Sequence, residues 1–162
     1  LEKEDYETRK YYSLSRVNDN ISFTDKNILL CEDNEINTLI AKTMIEKTGC
    51  KVECAENGEK GLEMFSASPK NYYSLIFMDI RMPVMDGYKA TKKIRQLERP
   101  DAKTVPIVAL SANAFAEDIH HSLESGMNAH IVKPIDLKEL YEVMLTFMEP
   151  STPPTRSDRL II

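Results

Sequence analysis

Five short apolar runs alternate with five helical stretches along this chain, and that alternation constrains its fold more than any other feature. The runs are Asn27–Glu32, Lys51–Ala55, Tyr73–Met78, Val105–Leu110 and Ala129–Val132. Each is strand-sized, and each precedes a segment with apolar residues at helical spacing. Ile36, Leu39, Ile40, Thr43 and Met44 share the first helical face, which Gly49 closes. Gly58, Gly61, Leu62 and Phe65 mark the second, ending before Pro69. Tyr88, Thr91, Ile94 and Leu97 mark the third, stopped by Pro100. Phe115, Ile119 and Leu123 give the fourth, closed by Gly126, and Leu137, Leu140, Tyr141, Met144 and Met148 the fifth. Strict alternation implies right-handed crossovers and a mostly parallel sheet. Near-continuous apolar strands agree, because such a sheet is covered on both faces. A stretch of about 120 residues is too short for an eight-fold barrel. The expected fold class is α/β, a doubly wound five-stranded sandwich of the (βα)5 kind. Ligands of such folds bind beyond the carboxyl ends of the strands.

Composition narrows the function. Of 162 residues, 42% are hydrophobic, enough for one core and too few for two ordinary domains. The formal net charge of −5 argues against nucleic acid as a partner, since phosphate backbones are bound through clustered Lys and Arg. No apolar run approaches the roughly 20 residues of a bilayer span, so no membrane contact is expected of this segment. The opening LEKEDYETRK is too polar for a secretory leader, and it starts on Leu, as a piece of a longer chain would. Residues 1–26 read as an N-terminal linker or extension, with Tyr6, Tyr11, Tyr12 and Leu14 as a short helix or docking strip. Residues 27–148 form the domain, and 149–162, rich in Pro, Ser and Thr, a flexible C-terminal tail. Three cysteines, Cys31, Cys50 and Cys54, fit reduced thiols and a cytoplasmic setting. Cys50 and Cys54 share a strand face with Val52, which predicts burial rather than metal ligation.

The carboxyl ends of the strands carry the chemistry. Strand one ends in Glu32-Asp33, strand three in Asp79, strand four in Ser111 and strand five in Lys133-Pro134. Three carboxylates close together repel, so one is protonated or a cation sits among them. An oxygen-only donor set without His or Cys suits a hard ion, Mg²⁺ first. Lys133 alone could neutralise one charge, so composition does not force a metal. A hydroxyl and an ammonium beside a metal-bound carboxylate make a cradle for a phosphoryl group, with the carboxylate as nucleophile. Taken singly, each residue also has an ordinary reading: Asp33 and Ser111 as helix caps, Lys133 as a solvated charge. Four such features on four strand ends favour the joint reading.

The strings ILLCEDNEIN, LIFMDIRMPVMDG, IVALSANA and HIVKPI resemble the motifs of response-regulator receiver domains of two-component phosphorelays. EDNEIN, MDIRMPVMDG and ALSANAF are most similar to receivers attached to hybrid sensor histidine kinases. The resemblance spans about residues 27–148 and implies a flavodoxin-like fold with strand order 2-1-3-4-5. It implies Asp79 as phosphoacceptor, Asp33 as a direct Mg²⁺ ligand and Glu32 as the residue that orients waters around the ion. The backbone carbonyl of Arg81 is a further ligand by the same resemblance, and Mn²⁺ is a substitute metal. Ser111 and Lys133 stand at the hydroxyl and lysine positions, and the Lys133–Pro134 peptide is expected to be cis. Ser111 is also a switch residue. Its companion, often Tyr or Phe in the family, is here His130, for which a small rotamer switch and a surface histidine both stand as readings. By the same resemblance, Arg81 and Asn113 stand at rim positions that in the family tune acyl-phosphate lifetime.

The implied partners are the phosphohistidine-bearing dimerisation domain of a histidine kinase, a histidine-phosphotransfer protein, or both. The domain would be a monomer or weak dimer, on the cytoplasmic side if the parent is membrane-anchored. A receiver is not a conventional turnover enzyme. A receiver-fold docking module without phosphotransfer is one alternative. A phosphohydrolase with an aspartyl-phosphate intermediate is disfavoured, because haloacid-dehalogenase-like enzymes place an Asp two residues after the nucleophile, where this chain has Arg81. A flavin carrier is disfavoured because EDNEIN would repel a phosphate. His120 and His121 point about 100° apart on a helix, so they cannot share a metal ion.

Overall fold

The computed structural model describes residues 22–113 and 115–151. The Tyr6–Leu14 strip and residues 152–162 lie outside the described residues. Five parallel strands form one sheet: β1 Asn27–Cys31, β2 Lys51–Ala55, β3 Tyr73–Asp79, β4 Ile107–Ser111 and β5 Ala129–Val132. Their order is β2-β1-β3-β4-β5, as the resemblance implied. The helices are α1 Glu35–Glu46, α2 Gly58–Ala67, α3 Gly87–Arg95, α4 Pro100–Thr104, α5 Ala116–Ser125 and α6 Leu137–Phe147. The chain reverses its direction of winding between β1 and β3, so a crevice opens at their carboxyl ends.

Strand alternation splits the core into two layers. Ile28, Leu30, Leu75, Phe77, Val108 and Leu110 pack with Ala41 and Ile45 of α1 and with Leu140, Val143 and Met144 of α6. Leu29, Cys31, Ile76, Met78, Ile107 and Ala109 pack with Phe65 of α2 and Ala90 and Ile94 of α3. Each buried side chain of this size contributes about 1.5–3 kcal/mol, so slipping a strand by one residue would forfeit a whole layer. Phe23, ahead of β1, joins the first layer at 1% exposure. Its backbone N–H donates to Thr48 O, and Ser151 N–H donates to Ser22 O, which ties the two ends of the described chain together.

Three expectations are corrected. On α1, Ile36 and Leu39 are 69% and 66% exposed and Ile40 is exposed too, while Ala41 and Ile45 carry the buried face. On α5, Phe115 is 67% exposed just before the helix, and Ile119 and Leu123 are also exposed. Cys54 is exposed as well, unlike Cys31 and Cys50. It lies on β2, an edge strand, where the outer face lacks full cover. His120 pairs with Glu124 and His121 stacks on Tyr88, so neither His stands in a metal cluster among the described residues.

Pro100 does more than end a helix. It opens α4, because its fixed φ and missing N–H suit a first helical turn. Arg99 anchors this turn. Its guanidinium makes two 2.7 Å bonds to Asp101, donates to the carbonyls of Phe65, Ser68 and Pro69 and lies 4.7 Å over the Phe65 ring. Those bonds hold the Asp101 carboxyl down at about 2.

Candidate functional site

The site grows from the ends of β1, β3, β4 and β5. After β1 the chain turns into α1 at Asn34, whose side chain accepts a hydrogen bond from Asn37 N. Asn34, not Asp33, is therefore the cap, and the exposed Asp33 carboxylate is left for the cleft. Glu32 is buried; its Oε1 accepts from Asn34 N and its Oε2 from Lys133 Nζ at 2.7 Å.

Asp79 closes β3 and is buried. The chain beyond it is held by short backbone links: Ile80 N–H donates to Leu110 O, and Gly87 N–H donates back to Ile80 O. Between them Met85 N–H donates to Pro83 O around Val84, whose φ is +69°, a three-residue turn. Asp86 then caps α3 by accepting from Lys89 N. Gly87 must be glycine here, since a Cβ would collide with the Asp79 carbonyl oxygen and lie 3.0 Å from Ile80 Cα. The same loop carries Arg81, two residues past Asp79, with its side chain exposed.

The fold brings Glu32, Asp33 and Asp79 together: one carboxylate oxygen from each lies within 4.8 Å of the others. Lys133 completes the group, its Nζ 3.3 Å from Asp79 Oδ2 as well as bonded to Glu32. Its side chain is only 21% exposed, so it is not a solvated end-of-strand charge. Burial works against the ammonium, yet the hydrogen bond and charge of Glu32, with Asp79, hold the lysine above its usual value. Burial also pushes the Asp79 carboxyl up to about 7, with the Glu32 carboxylate adding to the rise and Lys133 opposing it. A single ammonium thus leaves a buried surplus of negative charge, and three oxygen donors at this spacing fit a hard divalent cation. The Lys133–Pro134 peptide is cis, as expected.

Ser111 ends β4 and is buried. It caps no helix, because α5 begins after Phe115 without a side-chain cap. Its Oγ donates to Asn113 O and accepts from Asn113 N, both at 3.0 Å. His130 is half-buried, and its Nε2 lies 3.1 Å from the same Asn113 carbonyl. That shared carbonyl is the feature sequence reasoning missed; a backbone oxygen leaves no mark in a residue pattern.

With this geometry in hand, comparison with known proteins is specific. A family model described as response regulator receiver domain matches residues 28–145. The peroxide stress-activated histidine kinase mak1 of Schizosaccharomyces pombe is 39% identical over 140 residues, covering 86% of this chain and 8% of the relative. The sensor histidine kinase GacS of Pseudomonas protegens is 36% identical over 132 residues, covering 81% of this chain and 14% of the relative. The chain thus spans a small part of the curated relatives it matches. Among solved structures, the receiver domain of a sensor histidine kinase from Pseudomonas aeruginosa, with magnesium coordinated in its active-site cleft, has a TM-score of 0.68 at 35% identity. That match covers 75% of this chain and 96% of the other. A chemotaxis protein of Vibrio cholerae, CheY4, shares the fold with a TM-score of 0.69 at 22% identity, covering 76% of this chain and 98% of the other.

Proposed function

Because this chain belongs to the response regulator receiver domain family, we propose that Asp79 accepts a phosphoryl group from a phosphohistidine in a His-Asp phosphorelay. The observation that carries the reading is the Lys133 ammonium held between Glu32 and Asp79 beside an oxygen-only cluster. Asp33, Asp79 and the Arg81 backbone carbonyl would hold Mg²⁺, with Glu32 orienting its waters, and Mn²⁺ would substitute. The P. aeruginosa receiver, with magnesium in its cleft, supports this choice of ion. When bound, the ion offsets the charge of the carboxylates and of the phosphoryl oxygens.

This chain's own groups do the rest. An Asp79 oxygen attacks phosphorus in line, the P–N bond of the donor breaks and an acyl phosphate forms. The departing imidazole takes its proton from solvent. Lys133 turns its ammonium to a phosphoryl oxygen, and Ser111 donates its hydroxyl proton to another. Ser111 must release Asn113 O to do so, and that release biases the face of α5, β5 and α6 between two packings. Helix α5 also carries the exposed Ile119 and Leu123.

The parent is a hybrid sensor histidine kinase, with this domain on the cytoplasmic side. Residues 1–26 serve as an N-terminal linker or extension whose Phe23 packs into the domain, residues 149–162 serve as a C-terminal tail, and the domain is a monomer or weak dimer. Its partners are a kinase phosphohistidine domain, a histidine-phosphotransfer protein, or both. No helix among the described residues is long and apolar enough to cross a membrane.

Phosphoramidate, a small P–N donor, tests the reading. Incubation with Mg²⁺ is expected to add one phosphoryl group by intact mass, and incubation with EDTA none. A folded protein that binds Mg²⁺ but gains no mass would make this a docking module that keeps the fold without the chemistry.

A further inference from the structure

We propose that the chain's own N-terminal strip, Tyr11, Tyr12 and Leu14, docks on the exposed apolar face of α1. Ile36, Leu39 and Ile40 are 69%, 66% and 46% exposed. At i, i+3 and i+4 they form one stripe, on the side of α1 away from the buried Ala41 and Ile45. Scattered apolar side chains on a surface are ordinary, whereas a contiguous stripe marks a place where something binds.

The chain leaves the described residues at the foot of this helix. Phe23 N–H donates to the carbonyl of Thr48, just past the end of α1, and a Cβ on Gly49 would lie 3.4 Å from Ser22 Oγ. At the helical rise, Ile40 lies about 14 Å from Gly49 and Leu39 about 15 Å. Leu14 is eight residues before Ser22 and Tyr11 eleven. A helical strip of that length covers about 12–17 Å and an extended one up to about 26–40 Å, so both reach Ile40 and Leu39. Tyr11 and Leu14 share a face of a helix, and Tyr12 and Leu14 share a face of a strand, so either conformation presents an aromatic ring beside a leucine. The tyrosine hydroxyls stay in water at the edge of such a contact.

Charge selects this occupant over the other end of the chain. A strip running from Ser22 along α1 carries Arg9 and Lys10 past the apolar residues, toward the exposed Glu35 and Asp33 where the helix starts. The C-terminal tail leaves from the same corner, since Ser151 N–H donates to Ser22 O. Its apolar residues, Leu160, Ile161 and Ile162, come after Arg156 and Arg159, which would lie along the end of α1, where Lys42 and Lys47 outnumber Glu46. Like charges oppose that placement. The docked strip borders the cleft, because α1 starts two residues past Asp33. Where Asp79 accepts a phosphoryl group, the strip and any protein donor resting on α1 compete for one face. That competition, unlike the docking itself, rests on the phosphoacceptor reading above.

Methyl-labelled Ile and Leu in the full chain, with a soluble neutral gadolinium chelate that relaxes exposed protons, read the cover by NMR. Tethering sets an effective concentration on the order of millimolar, so a contact with a Kd on the order of 0.1 mM is about nine-tenths formed. The methyls of Leu39 and Ile40 are therefore expected to relax about five-fold less in wild type than in Tyr11→Ser/Tyr12→Ser/Leu14→Ser. Ile119 and Leu123, exposed on α5, serve as controls expected to stay unchanged. Equal relaxation in the two proteins would leave the face open to a separate partner and overturn the inference. Protection that survives the substitutions and fades on dilution would make a second copy the cover and overturn it too. So would protection lost instead in Leu160→Ser/Ile161→Ser/Ile162→Ser, which would make the tail the cover. The measurement uses no phosphoryl donor, so failure of the phosphoacceptor reading leaves its outcome standing.

Discussion

Gly87→Ala is expected to lose about 3 kcal/mol of stability and most of the Mg²⁺ affinity of whatever protein still folds. The added Cβ has nowhere to go. It would collide with the Asp79 carbonyl oxygen and come within 3.0 Å of both Asp79 C and Ile80 Cα. All of these atoms are backbone, so no rotamer relieves the clash. Gly87 N–H also donates to Ile80 O, so moving α3 away breaks the link that closes the loop. The alternative is to move Asp79, which takes its carboxylate out of the cluster with Glu32 and Asp33. Urea unfolding and calorimetric Mg²⁺ titration check both halves. A variant that unfolds at the wild-type midpoint and binds Mg²⁺ normally would show that Asp79 does not depend on this close approach.

Asp79→Asn is expected to stabilise the metal-free protein at pH 8 by about 2 kcal/mol and to do little at pH 3. The Asp79 carboxyl is pushed up to about 7 in the folded state, against 3.8 as its ordinary value. A carboxyl raised on folding favours the protonated folded protein. Its stability is complete below the unfolded value and drains away as pH rises through the folded one. Between about pH 4 and 7 wild type should therefore lose stability relative to the Asn variant, which has no proton to lose there. A shift of three units would be about 4 kcal/mol taken whole, and solvent screening at the open end of the cleft, where Asp33 is exposed, reduces that to roughly half. Saturating Mg²⁺ should recover the loss in wild type, because an ion that binds only the folded state stabilises it by mass action. Denaturant midpoints in EDTA across pH 3–8, and in Mg²⁺ at pH 8, read this directly. An Asn variant less stable than wild type at pH 8 in EDTA would show that Asp79 is not a burdened carboxylate.

Much of this was legible in the sequence, for physical reasons. A parallel sheet covered on both faces needs continuous apolar strands, and Leu75–Met78 or Ile107–Leu110 can be little else. Strand ends were readable because polar residues follow those runs abruptly, and this brought Glu32, Asp33, Asp79, Ser111 and Lys133 to one edge. Helix burial was less legible. Ile36, Leu39 and Ile40 lie at helical spacing, which defines a face without saying what covers it, and on α1 nothing among the described residues does. The sheet is met instead by Ala41 and Ile45, further along. The turn α4 was hidden because Pro100 marks a stop and a start equally well. The His130–Asn113 link was beyond reach, since it joins a side chain to a backbone oxygen 17 residues away.

The most direct measurement locates the phosphoryl group itself. After treatment with phosphoramidate and Mg²⁺, borohydride reduces an aspartyl phosphate to homoserine, which tandem mass spectrometry places in the sequence. Homoserine is expected at residue 79 alone, and at no position in Asp79→Asn or in EDTA. Homoserine at residue 33, or a modification that survives in Asp79→Asn, would contradict the assignment of Asp79 as the acceptor.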